Sequence, residues 1–189
     1  MNKETLYKQK VQEYIEAAGW HENRKEEVIS DKYSEYNYPE NVDKLYREFL
    51  HLDIWNCFEG EKNQYPEKII HFDEWGIIHT QEDYRASDEY FFSQVIKKKL
   101  YYIGSSGNEY ICVDEDLYFY TVNEWGIEFW GYSFHVGLYN YMFFDTSSPD
   151  FVRYRIPFID FNPESYKKNS KGKIIWYNRI KNDKDEILE

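Results

Sequence analysis

The sequence predicts an α+β fold, with a central, mainly antiparallel sheet and helices packed on it. Two segments of helical periodicity open the chain, at 4–18 and from Pro39 to Leu50. Four short β-branched or aromatic runs follow between 100 and 130, separated by turn-rich breaks, and a further helical segment follows at about 133–143. Regular alternation of strand and helix is missing, which argues against a parallel sheet.

In the first helix, Tyr7, Val11, Tyr14, Ile15 and Ala18 recur at the spacing of one helix face. Gly19 stands at the stop position, and Trp20 has the size to plug the helix end against a core. The polar stretch from His21 to Tyr38 reads as loop with a short strand near Val28. Pro39 sits where a first helical residue belongs, and Val42, Leu45, Tyr46, Phe49 and Leu50 follow at helical spacing. Asp53–Phe58 and residues 67–72 read as short strands, parted by a break from Gly60 to Pro66. A third helix over about Glu82–Lys98 carries Tyr84, Phe91 and Val95 on one face, with Thr80 and Asp83 as its capping pair.

The runs LYYIG, NEYICVD, LYFYTV and GIEFW have the pattern of an antiparallel meander. Their breaks are Ser105–Gly107, Asp114–Asp116 and Asn123–Gly126. Ser133 is a suitable N-cap for the helix that follows, which points Phe134, Leu138, Tyr141 and Met142 inward. Residues 1–145 are therefore expected to form one domain. Residues 146–189 form a C-terminal extension expected to pack on it, with a strand-like KIIWYNRI at 173–180 and a charged, frayed end.

A chain of 189 residues fits one domain, and 42% hydrophobic content can fill a core. Much of that content is aromatic, with 20 Tyr and 13 Phe, so many side chains combine an apolar body with a polar tip. The formal net charge of −12 opposes contact with phosphate backbones and attracts a basic partner. Cys57 and Cys112 lie far apart without a Cys/His cluster, and read as small buried residues of a reducing compartment. No apolar h-region follows the N-terminus and no apolar run is long enough to span a bilayer, so a cytoplasmic location without membrane contact is expected.

No common catalytic constellation is present: no phosphate-cradling glycine motif, no GxSxG elbow and no HExxH. His71 and His79 flank a strand and a loop, and read more readily as ordinary histidines than as metal ligands. The run Asp114, Glu115, Asp116 lacks the alternation of a calcium loop and reads as a solvated turn. A non-enzyme without metal or cofactor is the expectation.

The candidate binding feature is aromatic–acidic interleaving in the meander. Tyr118 and Tyr120 share a strand face, opposite Leu117 and Phe119. Glu128 and Trp130 project opposite Ile127 and Phe129. If Leu, Phe and Ile face the helices, Tyr118, Tyr120, Glu128 and Trp130 form an open face, with Asp114, Glu115, Asp116 and Glu124 in the adjoining turns. Such residues anchor interfaces and complement a basic partner. In the alternative, the C-terminal tail covers this face and its aromatics are core.

Several local motifs resemble the SUKH (SMI1/KNR4-like) superfamily, and its SUKH-3 branch in particular. The helix ending in AAGW before HENRKEEV resembles that branch's opening, through Ala18, Gly19, Trp20 and Arg24. The pair Phe49–Leu50 ends the second helix as in the family. LYYIG (Leu100 to Gly104), ICVDEDLYFY and GIEFWGYSF resemble the family's Ile-Gly step, its strand–acidic turn–strand passage and its closing Gly-then-helix segment. The resemblance spans roughly 4–143. Leu117 departs from it, standing where a turn glycine often follows the acidic pair, and the tail beyond Asp145 is longer than expected.

The resemblance implies an α+β domain without catalytic residues. It also implies an immunity protein that binds and neutralises a cognate toxin of a bacterial polymorphic-toxin system, often a nuclease, inside the producing cell. Two alternatives remain at this point: a general adaptor of the SMI1/KNR4 type, and a small carbohydrate-binding or hydrolytic domain using exposed Tyr and Trp.

Overall fold

The computed structural model describes residues 3–29, 36–55, 69–77, 87–123, 125–143, 153–157, 177–178 and 186–187. Helix α1 (Lys3–Ala17) buries Val11 and Ile15 completely, and Tyr14 and Ala18 pack beside them. Its end is closed by two reversed bonds, Trp20 N–H to the Ile15 carbonyl and Gly19 N–H to the Glu16 carbonyl, each 2.9 Å. This closure needs a left-handed residue, and Gly19 supplies it at φ 101° without a Cβ clash. Trp20 then donates its indole N–H to the Glu48 carboxylate at 3.0 Å, and Arg24 donates to the Glu48 carbonyl at 2.9 Å. The Gly-Trp…Arg segment thus ties the end of α1 to the second helix.

Residues 21–29 form no strand near Val28. Their backbone donors go elsewhere: Glu26 N–H to the Arg47 carbonyl and Ile29 N–H to the Glu74 carboxylate. Helix α2 (Glu40–Phe49) buries Val42, Leu45, Tyr46 and Phe49, as its periodicity predicts. Pro39 caps this helix instead of opening it. Its φ of −58° is helical but its ψ of 152° is extended, and its carbonyl takes the first helical bond from Asp43.

Among the described residues the main sheet has seven strands, all antiparallel and in chain order. They are β1 (Asp53–Ile54), β2 (Ile70–His71), β3 (Tyr101–Ser106), β4 (Glu109–Val113), β5 (Phe119–Asn123), β6 (Gly126–Gly131) and β7 (Tyr154–Pro157). The predicted meander is its centre, although Ser105 and Ser106 belong to β3 and not to the turn. Residues 56–58 and 67–68 of the two predicted early strands lie outside the described residues.

Helix α3 (Asp88–Ile96) starts at Ser87, whose hydroxyl accepts the Tyr90 N–H at 3.2 Å. The expected cap, Thr80 with Asp83, and the face residue Tyr84 lie outside the described residues. Phe92 and Val95 bury on β5, while Phe91 stays half-buried. Helix α4 (Phe134–Phe143) starts after Ser133, whose carbonyl takes the Gly137 N–H at 2.9 Å, and it buries Phe134, Leu138, Tyr141 and Met142 as expected. Gly137 lets α4 lie directly on the sheet, because a Cβ there would overlap the Phe119 side chain. No helix among the described residues is long and apolar enough to cross a membrane.

Helices cover both faces of the sheet. On one face, α1, α2 and α4 pack with Tyr101, Ile103, Ile111, Val113, Phe119 and Trp130. On the other, α3 packs with Leu100, Cys112, Tyr120, Val122, Ile127 and Phe129. Cys112 is fully buried, which pushes its thiol pKa well up and leaves it an inert core residue. In the extension, β7 adds to the β6 edge, an element the sequence did not signal. Strand β8 (Tyr177–Asn178) falls within the strand-like KIIWYNRI and pairs with β9 (Glu186–Ile187), in the segment expected to be frayed.

Candidate functional site

The acidic–aromatic residues singled out by sequence fall into two separate clusters. The register explains the separation. Tyr120 pairs with Phe129 and Thr121 with Glu128, so Tyr120 and Phe129 share the α3 face while Glu128 lies on the opposite face. A bulge between Phe119 and Tyr120, where Phe119 pairs with Gly131, leaves Trp130 as the extra residue of β6. Trp130 joins the α4 side, with its ring 5.1 Å from Tyr141. The expected single open face is therefore not present, and Tyr120 and Trp130, each 3% exposed, are core residues.

The first cluster is the acidic turn between β4 and β5, and its buried centre is Asp114, 0% exposed. One carboxylate oxygen accepts the N–H groups of Asp116 (2.9 Å) and Tyr118 (3.0 Å). The other accepts Lys98 Nζ at 2.9 Å and the Tyr120 hydroxyl at 3.0 Å. Burial first, then the Asp114 charge, push the Tyr120 phenol far above its ordinary pKa, so it remains a donor. Partial burial pulls the Lys98 ammonium down, but hydrogen bonds to Asp116 and Asp114 outweigh this and its pKa rises. Leu117 sits at φ 60°, a left-handed backbone position that favours glycine.

Around this buried centre the turn presents solvent-facing groups. Glu115 and Asp116 are exposed and Tyr118 is half-buried. Lys98 lies 4.2 Å over the Tyr118 ring, and Tyr118 stacks edge-on at 5.2 Å against Tyr132, which is 59% exposed. Asn41 on α2 anchors the turn through the Glu115 carbonyl. Glu124 lies outside the described residues.

The second cluster is the β6 edge. Glu128 is only 6% exposed, and Arg153 reaches both its oxygens at 2.7 Å. Arg155 lies 3.4 Å from the same carboxylate, and the Arg153 guanidinium stands 4.9 Å over the Trp130 ring. Trp130 donates its indole N–H to Thr121, and its carbonyl accepts from Asn140. At this edge β7 pairs with β6, whereas Tyr120 is covered by α3 and Trp130 by α4.

Sequence reasoning missed Trp55, Trp75, Trp125 and Tyr132, all large and exposed. A usable signal existed for Trp125: it sits in the turn between two paired strands, from which its ring has no path into the sheet core. Among the described residues, no group of three or more His, Cys, Asp or Glu side chains could hold a metal ion. His71 instead pairs with Asp53 across β1 and β2 at 2.8 Å, while Cys57 and His79 lie outside the described residues.

A seven-stranded antiparallel sheet between helical layers, with an acidic–aromatic turn at its rim, defines an α+β domain of the kind the sequence predicts. The SUKH-3 immunity protein family model matches residues 7–142, most of the chain, and the protein belongs to that family. No curated protein and no solved structure matches it.

Proposed function

We propose that this chain binds a cognate toxin of a bacterial polymorphic-toxin system and neutralises it by occlusion, in the cytoplasm of the producing cell. Family membership over residues 7–142 carries the reading. Charge narrows the partner class. A protein of net charge −12 repels nucleic acid but complements a basic surface, such as the groove with which a nuclease holds its substrate.

Within the candidate residues, Glu115, Asp116 and Tyr118, with Tyr132 beside them, are the accessible contacts. Asp114 and Tyr120 hold the turn that presents them. Carboxylates in this position steer a basic partner electrostatically, and half-buried tyrosines give contact area at small entropic cost. Occlusion needs no catalytic group, cofactor or metal.

The test is coexpression with the toxin encoded immediately upstream. The expected result is a complex that co-purifies and restores growth. A toxin that kills equally with and without this chain, and leaves no complex, would overturn the reading.

A further inference from the structure

We infer that the β6 edge is a docking site for an extended, arginine-bearing segment of the partner, and that residues 153–157 of this chain occupy it in the free protein. This rests on the proposed reading that the partner is basic, and it adds the surface and the mode of binding.

The family-matched region ends at 142, whereas β7 spans Tyr154–Pro157. Among the described strands of the matched region, β6 is therefore the last of the sheet, and β7 is an addition to it. A sheet edge accepts another strand through its main-chain groups, with little demand on sequence. Specificity comes from side chains at alternate positions, and here those are Glu128 and Trp130. Arg155 lies directly across from Glu128. One further step of the same register brings Arg153 opposite Trp130, where its guanidinium stands over the ring and also grips Glu128 at 2.7 Å. Two arginines at i and i+2 thus read one carboxylate and one indole.

The fit on the tail's side is incomplete. Two cations share one carboxylate, and the buried Arg155 Nε, although 3.4 Å from Glu128, makes no hydrogen bond of good geometry among the described residues. The edge is a receptor for alternating basic residues, occupied by a segment that matches it imperfectly and that a better-matched segment can displace. Tethering gives the tail a high local concentration, so only a partner anchored elsewhere, as at the acidic turn, competes effectively. In the absence of a partner the tail shields an edge that would otherwise pair with other chains.

The experiment uses the full chain and a labelled peptide of residues 151–158 (FVRYRIPF), followed by fluorescence anisotropy. Arg153→Ala with Arg155→Ala weakens the resident strand, and this variant should bind the peptide about tenfold more tightly than the unaltered chain does. A peptide with both arginines replaced by glutamate should not bind, and adding Glu128→Gln to the variant should remove the gain. Equal binding by the unaltered chain and a folded variant overturns the inference. If the variant fails to fold, hydrogen exchange on the unaltered chain decides. Amides of 154–156 should exchange about tenfold or more faster than those of β5, through local opening; equal protection overturns it. A failed growth rescue would sink the immunity reading while leaving the peptide result standing, so the two failures are distinguishable.

Discussion

The acidic turn and the β6 edge each join a buried carboxylate to aromatics and basic side chains, yet they are satisfied from different places. Asp114 finds its donors within the stretch from Lys98 to Tyr120, all inside the family-matched region. Glu128 receives its cations from Arg153 and Arg155, beyond that region. The difference teaches that similar acidic–aromatic composition can serve two ends. The turn is a self-contained scaffold that displays its outer carboxylates. The edge depends on a strand that a homologous domain could lack or a partner could replace.

Breaking the turn should cost most. Asp114→Ala strands a buried hydroxyl and two N–H groups and leaves Lys98 with Asp116 alone, and is expected to lower stability by about 3 kcal/mol in urea unfolding. A loss below about 1 kcal/mol would show that Asp114 does not hold the turn. At the edge, Arg153→Ala with Arg155→Ala leaves Glu128 buried and uncompensated, for an expected loss of about 3 kcal/mol. Much of that loss should vanish in a Glu128→Gln background, and a double-mutant cycle without coupling would contradict the assignment of these arginines.

A third buried carboxylate sharpens the contrast because it sits in neither cluster. Glu89, in the first turn of α3, is 2% exposed, and burial raises its pKa above the ordinary 4.5 despite hydrogen bonds from its own N–H and Ser87. The neighbouring Asp88 carboxylate raises it further. A carboxyl that holds its proton more tightly when folded favours the folded state less as pH rises from 4.5 towards its folded value. Glu89→Gln should therefore stabilise the protein at pH 7, and the gain should disappear below about pH 4.5. Chemical denaturation at the two pH values checks this, and a gain of equal size at both would contradict it.

The smallest effect is expected at Leu117. Glycine there would relieve the left-handed backbone but forfeit the packing of a half-buried leucine, so Leu117→Gly should stay within about 1 kcal/mol of the parent in thermal unfolding.

The sequence made the meander and the helices around it legible because each carries a local signal. Helical periodicity located Val11, Ile15, Val42 and Phe49; alternation with turn residues located β3 to β6. The Gly-Trp stop and the Leu117 anomaly also proved to be local geometry, a reversed helix end and a left-handed turn. What sequence could not supply was register. One residue of offset between β5 and β6 sends Tyr120 and Glu128 to opposite faces, and no local pattern encodes that offset. Nor could it foresee β7, four residues whose strand character comes from the edge they join. Of the candidate residues, Glu115 and Asp116 are exposed and Tyr118 is half-buried, while Asp114 and Tyr120 are buried at the turn and Glu128 and Trp130 at the β6 edge.

The central claim is that the exposed half of the acidic turn meets a basic toxin. Its most direct test is the association rate of the chain with the upstream-encoded toxin, for the parent and for Glu115→Lys with Asp116→Lys. The account predicts a parental rate that falls about tenfold or more between low and high salt, and a variant that associates about tenfold more slowly at low salt with weakened growth rescue. Equal rates for parent and variant, indifferent to salt, would contradict it.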